Sequence, residues 1–202
     1  MKIAVDIDCT MNQFLFEYIY HCKKLCDIYN HKYTLNLSAY YIKDQFQLTD
    51  RIYDVFMKNY FPVSVRNSNL MPGCKKVLQE LSICDNIQLF CMTSRDAEYN
   101  KGYNCYTGKQ MKKDTLEWFK TNQLPFDETN TYFSIKNKGA KCKELGIDIL
   151  IDDNPKHIQE CIDNGIICYF PIYEYNKHFI GYKNVIPLYN GWIDVLKVKM
   201  FI

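Results

Sequence analysis

Apolar residues along this chain follow two rhythms. Short runs that are apolar at nearly every position and rich in β-branched residues recur at 2–7, 87–92, 131–135, 148–151, 166–170 and 185–188. Unbroken runs of that length mark strands buried on both faces. Between them the spacing changes to that of a helix. Val77, Leu78 and Leu81 share one face after Pro72-Gly73, and Met111, Thr115, Trp118 and Phe119 share another. Asn154 followed by Pro155 reads as an N-cap with proline at the first helical position, and Gly165 suits the helix end ahead of the 166–170 run. Strand and helix alternate, which predicts an α/β fold: a three-layer, Rossmann-like, mainly parallel sheet of six strands with helices on both faces.

Residues 11–70 break the alternation. They are rich in Tyr, Phe, Lys and Asn, with helical stretches and no convincing strand. The segment is predicted to be a small helical cap inserted after the first strand, leaving 1–10 and 71–202 as the core. A chain of 202 residues, 48% of them hydrophobic, suffices for one packed core with a smaller lobe. No internal repeat or low-complexity tract interrupts it.

Composition narrows the partners. A net charge of +2 without a Lys/Arg block argues against a nucleic-acid polymer or a membrane surface and for a small molecule. The N-terminal MKIAVDID places two acids in a short apolar run, unlike a secretory signal, and no later stretch reaches membrane-spanning length, so a cytoplasmic protein is expected. In that setting the ten Cys read as reduced thiols, with Cys91, Cys161 and Cys168 packing as small hydrophobes. His21, Cys22, Cys26 and His31 lie close in sequence, but the adjacent His21 and Cys22 point to different faces of a helix, which leaves no chelating pair pattern for zinc.

Ligands of open parallel sheets bind beyond the carboxyl ends of the strands. Reading those ends gives Asp6, Asp8 and Thr10 after the first strand and Thr93, Ser94 and Arg95 after the second. Lys138 and Lys141 precede the fourth, and Asp152 and Asp153 follow it. This ordered set, with Asp6-Ile7-Asp8-Cys9-Thr10 as a DxDxT motif, resembles the phosphatase branch of the haloacid-dehalogenase-like superfamily. The resemblance implies that Asp6 is the nucleophile and forms an aspartyl-phosphate. It implies that Asp8 exchanges protons with the leaving group and then with water, that Thr93 binds a phosphoryl oxygen, and that a lysine neutralises charge. Family spacing selects Lys138 over Lys141. Cys9 stands where the family usually has Gly, adding a side chain at a tight turn.

Physical chemistry is consistent with these residue types. A phosphate monoester repels a carboxylate nucleophile unless positive charge is supplied first, which magnesium and a lysine do. Mg2+ prefers a few carboxylate and carbonyl oxygens plus water; the Asp6 carboxylate, the Asp8 backbone carbonyl and an oxygen from Asp152 or Asp153 would supply them. Alternation along an extended strand puts Asp6 and Asp8 on one side, facing one phosphoryl group.

Resemblance over most of the chain points further, to the 5'(3')-deoxyribonucleotidases and their bacterial relatives. It is carried by Met71-Pro72-Gly73, Thr93-Ser94-Arg95, Thr115-Leu116-Glu117-Trp118-Phe119, Glu144-Leu145-Gly146-Ile147-Asp148, Tyr175-Asn176 and Trp192, several of them packing residues rather than chemistry. It implies a nucleoside monophosphate as substrate, with Phe14 at the place of the residue that stacks on the base. Tyr40, Tyr41, Phe46, Phe56, Tyr60 and Phe61 are further stacking candidates in the cap. Thr10, Phe14, Ser94 and Arg95 make up the expected substrate-binding set. For Arg95 the choice lies between an anionic substrate group and a structural ion pair. The alternatives are a phosphatase for another small metabolite such as a sugar phosphate, a carbon–halogen hydrolase, which would lack an acid at Asp8, and a non-enzymatic binding protein on the same fold.

Overall fold

The computed structural model describes residues 1–97 and 106–201. Six strands, β1 (Lys2–Val5), β2 (Gln88–Met92), β3 (Thr131–Tyr132), β4 (Ile149–Ile151), β5 (Ile167–Phe170) and β6 (Val185–Pro187), form one parallel sheet in the order β3-β2-β1-β4-β5-β6. Each lies within an expected apolar run and is shorter than it. β1 stops at Val5 because the carbonyl of Ile7 is taken by the turn amides of Thr10, Met11 and Asn12. β3 pairs through two residues before Ser134 turns the chain with φ of 59°.

Period-two alternation sends neighbouring side chains to opposite layers. Ile3, Val5, Ile149, Ile151 and Tyr169 face a core formed with α5 (Cys74–Ser82), α6 (Gly108–Thr121) and a C-terminal 3-10 segment (Gly191–Phe201), through Leu78, Leu81, Trp118, Phe119, Trp192 and Val195. Ala4, Leu150, Cys168 and Phe170 face the other layer, α7 (Lys138–Leu145) and α8 (Pro155–Asn164), through Cys142, Ile158 and Cys161. Asn154 caps α8 by accepting from the Lys156 amide, Pro155 opens the helix, and Gly165 ends it at φ of 71°.

Between β1 and α5 run α1 (Phe14–Ile28), α2 (Ile42–Gln45), α3 (Asp50–Asn59) and α4 (Phe61–Asn67). They share a separate core of Cys22, Leu25, Cys26, Phe46, Leu48, Ile52 and Phe56. Cys22 and Cys26 are thus packing residues, while the His31 ring meets the Phe46 carbonyl. The chain enters and leaves this helical unit side by side, through an antiparallel bridge between Asn12 and Leu70. Trp118 Nε1 donates to the Ser68 carbonyl, and Arg66 pairs with Asp114, tying its last helix to α6. Among the described residues no helix is long and apolar enough to cross a membrane.

Candidate active site

The strand order reverses between β1 and β4, since β2 and β3 lie on one side of β1 and β4 to β6 on the other. At such a switch point the loops beyond the two strands diverge and open a crevice. Asp6, following β1, and Asp152 and Asp153, following β4, stand at its mouth. One carboxylate oxygen from each lies within 4.8 Å of the others, and all three residues are buried.

Among the described residues, the one ammonium between these acids belongs to Lys138, the first residue of α7. It is fully buried and donates to Asp6 Oδ1 and, at 2.6 Å, to Asp152 Oδ2. Lys141 lies at the surface, paired with Glu144. The two lysines are sorted by where α7 begins. Asn137 caps the helix through the Ala140 amide, and Glu160 Oε2 of α8 accepts from the amides of Lys138, at 2.8 Å, and Gly139. That bond requires close approach, and a Cβ on Gly139 would lie 2.5 Å from the Glu160 carbonyl oxygen.

The acids are not equivalent. Burial works against charge on Asp152, but Lys138 and His157 outweigh it and hold the carboxyl below its usual range. His157 Nδ1 lies 3.1 Å from Asp152 Oδ2, and the Asn154 amide donates to Oδ1. Asp153 has hydroxyl partners instead, Thr10 on Oδ1 at 3.1 Å and Tyr175 on Oδ2 at 2.7 Å. Burial, reinforced by the Asp152 and Asp6 charges, pushes it well above its usual range. Burial likewise raises Asp6, to about 6, with Lys138 opposing. Three carboxyl groups around the Lys138 ammonium form a buried acidic cluster whose oxygens are of the kind a hard divalent cation takes.

Asp8 is held differently. Arg95 grips it with two bonds, Nη2 to Oδ1 at 2.6 Å and Nε to Oδ2 at 3.0 Å, while Nη1 donates to Thr115 Oγ1 at 2.9 Å. Asn12 Nδ2 also donates to Asp8 Oδ1. Arg95 thus forms an ion pair with Asp8, with its guanidinium over the Phe14 ring, at the edge of the site.

Two joined clefts lead from these residues. One, of about 250 Å³, is lined by Asp6, Asp8, Thr93, Ser94, Arg95 and His157. The other, of about 240 Å³, is aromatic, with Phe14, Tyr18, Tyr41, Tyr53 and Phe56 in its walls and Gln45 among them. Asp8, Tyr40 and Phe61 belong to both. Of the expected stacking residues, Phe14, Tyr40, Tyr41, Phe56 and Phe61 line the aromatic cleft. Phe46 is buried in the core of the helical unit, and Tyr60 packs against that core. Thr10 is fully buried and gives its hydroxyl hydrogen to Asp153 Oδ1. Ser94 lines the first cleft but gives its hydroxyl hydrogen to the Ile135 carbonyl.

Residues from several elements hold the site in place. Thr115 supports Arg95, and Trp192 Nε1 donates to the Thr10 carbonyl at 3.0 Å. Asn176 Nδ2 donates to the Asp153 carbonyl at 2.8 Å, and Tyr173 hydroxyl to the Cys9 carbonyl at 2.8 Å. Asn12, Gln45, Glu160 and His157 escaped sequence reading. A single polar residue inside a helical pattern carries no signal that its partner lies in another element.

Comparison with known proteins agrees with this architecture. The model of the family described as 5' nucleotidase, deoxy (pyrimidine), cytosolic type C protein matches residues 1–200. A 5'(3')-deoxyribonucleotidase from Clostridium acetobutylicum is 25% identical over 168 residues, covering 82% of this chain and 79% of that protein. Among solved structures, a haloacid dehalogenase-like family hydrolase from Streptococcus pneumoniae superposes with a TM-score of 0.67 at 13% identity, covering 98% of this chain and 97% of the other. A HAD family hydrolase from Deinococcus radiodurans with bound phosphate and sodium gives 0.62 at 10% identity, covering 99% and 95%.

Proposed function

The chain belongs to the family of cytosolic type C deoxy (pyrimidine) 5' nucleotidases, within the haloacid-dehalogenase-like fold, and on that premise we propose that it is a cytoplasmic, magnesium-dependent phosphomonoesterase that dephosphorylates nucleoside monophosphates through an aspartyl-phosphate on Asp6. The observation that carries the reading is the buried cluster of Asp6, Asp152 and Asp153 with Lys138, opening on one cleft of polar lining and one of aromatic lining that meet at Asp8.

Residue roles follow from what each side chain touches. The ion would be held by Asp6, the Asp8 backbone carbonyl and Asp153, because Asp152 is already engaged by Lys138, His157 and the Asn154 amide. When bound, it supplies positive charge that lets an anionic phosphoryl group approach a carboxylate. Lys138 aims Asp6 and partly offsets its charge. Thr93 Oγ1 accepts from the Arg95 amide at 3.1 Å, leaving its hydroxyl hydrogen for a phosphoryl oxygen in the polar cleft.

Asp6 attacks phosphorus as the ester P–O bond breaks, and Asp8 gives a proton to the departing oxygen. Water then attacks the aspartyl-phosphate, Asp8 takes a proton back, and inorganic phosphate leaves with the Asp6 carboxylate restored. For Asp8 to carry a proton, its two-point pair with Arg95 must loosen. A phosphate in the cleft that Arg95 lines offers the guanidinium another anion. The helices between β1 and α5 act as a cap whose aromatic cleft receives the leaving nucleoside.

The test is phosphate release from deoxynucleoside monophosphates, ribonucleoside monophosphates and sugar phosphates, with magnesium and with chelator. Preference for deoxynucleotides that chelation abolishes is the expected result. Metal-dependent release from sugar phosphates alone would keep the mechanism and remove the substrate, and no release from any compound would overturn the enzyme reading.

A further inference from the structure

Gln45, the last residue of α2, lines the aromatic cleft and has no exposed surface. Its side-chain Nε2 donates to the Ala39 carbonyl at 2.9 Å. That carbonyl can only accept, so the amide is oriented with its nitrogen toward Ala39. Oε1 is left buried with no hydrogen-bond partner among the described residues. The backbone of Gln45 is fixed as well, since its carbonyl accepts from the Asn36 amide at 2.9 Å. A buried amide oxygen without a donor is unfavourable, and a donor on a bound ligand would relieve it. Here the orphan stands among rings that suit the flat face of a base, one cleft away from the phosphate-handling residues.

We propose that Gln45 is a specificity-determining residue that reads the base: its fixed side-chain carbonyl accepts a hydrogen bond from the ring imide N–H of a uracil- or thymine-type base stacked in the aromatic cleft. The inference rests on the nucleotidase reading and deepens it. An imide N–H is flanked by two carbonyls that need donors, and the hydroxyls of Tyr18, Tyr40 and Tyr41, from the same walls, can donate. Recognition then relies on one acceptor that cannot turn away, since reversing the amide would set its oxygen against the Ala39 carbonyl.

The test compares kcat/KM for thymidine 5'-monophosphate and its N3-methyl derivative, which keeps the ring but lacks the N–H, with deoxyribose 5-phosphate as the base-free control. Wild type is expected to discriminate against the methylated nucleotide by roughly ten- to a hundredfold, the effect of leaving a buried acceptor unpaired. In Gln45→Met, which keeps the length but not the acceptor, the ratio should collapse toward one whatever the absolute rate. The wild-type comparison needs no variant, so misfolding of Gln45→Met cannot rescue the idea. Equal kcat/KM for the two nucleotides in wild type overturns the role of Gln45 alone. A ratio that persists in a folded Gln45→Met overturns it too. Phosphate release from deoxyribose 5-phosphate but from neither nucleotide overturns the nucleotidase reading instead.

Discussion

Cys9 has φ of 60°, in the left-handed region, at the turn between the two acids and Thr10. A side chain there costs about 1–2 kcal/mol against its own carbonyl, which is why related motifs place glycine at this point. The conformation is imposed from outside. The Cys9 amide donates to Asn12 Oδ1 at 3.0 Å, and three later amides converge on the Ile7 carbonyl. Cys9→Ala and Cys9→Gly both lose the thiol's packing, but only glycine relieves the backbone. The glycine variant should therefore be the more stable of the two by about 1 kcal/mol in urea unfolding, and equal stabilities would remove the strain argument. Position 9 was legible as unusual from the motif alone. The lysine assignment was less so, because Lys136, Lys138, Lys141 and Lys143 share one polar run and only the helix start decides which of them turns inward. Lys138 is buried between Asp6 and Asp152, and Lys141 lies at the surface. Lys138→Met should lower kcat by about a hundredfold or more, the scale of losing a charge aimed at the reacting group, while Lys141→Ala stays near wild type. The opposite order in steady-state assays would reassign the lysine.

Elements matter here through the contacts that bring distant residues to the crevice. The α7–α8 contact is the tightest such point, since a Cβ at Gly139 meets the Glu160 backbone, which cannot rotate away. Gly139→Ala should push α7 off α8, cost about 1–3 kcal/mol as overpacking does, and shift Lys138 off Asp6, so thermal midpoint and kcat fall together. A folded variant with unchanged kcat would show that the helix start tolerates displacement. The strands were readable because each is buried on both faces and so nearly continuously apolar. The C-terminal segment was not, because Trp192, Val195 and Val198 repeat every third residue, the period of a 3-10 helix rather than of either regular element. α2, with four residues, is too short for any period to show. Within the 3-10 segment, burial acts to raise Asp194, but its bonds from the Asn190 amide and from Lys197 prevail and hold it down at about 2. A depressed carboxyl stabilises the fold above the unfolded value near 4 and loses that contribution as pH falls through about 2. Wild type should thus lose stability relative to Asp194→Asn as pH drops from about 5 toward 2, which melts across that range will show.

Across the whole molecule, the strand order joins acids that lie far apart in the sequence, and no pattern in the chain encodes that order. Hydrophobic period reveals which residues form strands but not which strands are neighbours, so the convergence of Asp6 with Asp152 and Asp153 was readable only from their places at strand ends and from the resemblance of the motifs. The convergence has an energetic consequence that activity assays miss. Asp153 is fully buried beside two other carboxylates, with hydroxyls but no cation for partners. An asparagine there keeps the shape and still bonds to Thr10 and Tyr175, whose hydroxyls both donate and accept. In chelator, Asp153→Asn should therefore melt above wild type, by on the order of 1–2 kcal/mol in stability, because it removes a buried carboxyl whose ionisation burial and its acidic neighbours oppose. Magnesium should reverse the order. A ligand bound to the native state stabilises by RT ln(1 + [L]/Kd), about 2.7 kcal/mol at a hundredfold excess over Kd, and the variant lacks one of the carboxylates that hold the ion. Melting curves of both proteins with and without magnesium separate the possibilities. A crossing of the two midpoints supports Asp153 as a ligand, parallel shifts place the ion on Asp6 and Asp152 without it, and no shift in wild type rejects the metal site itself.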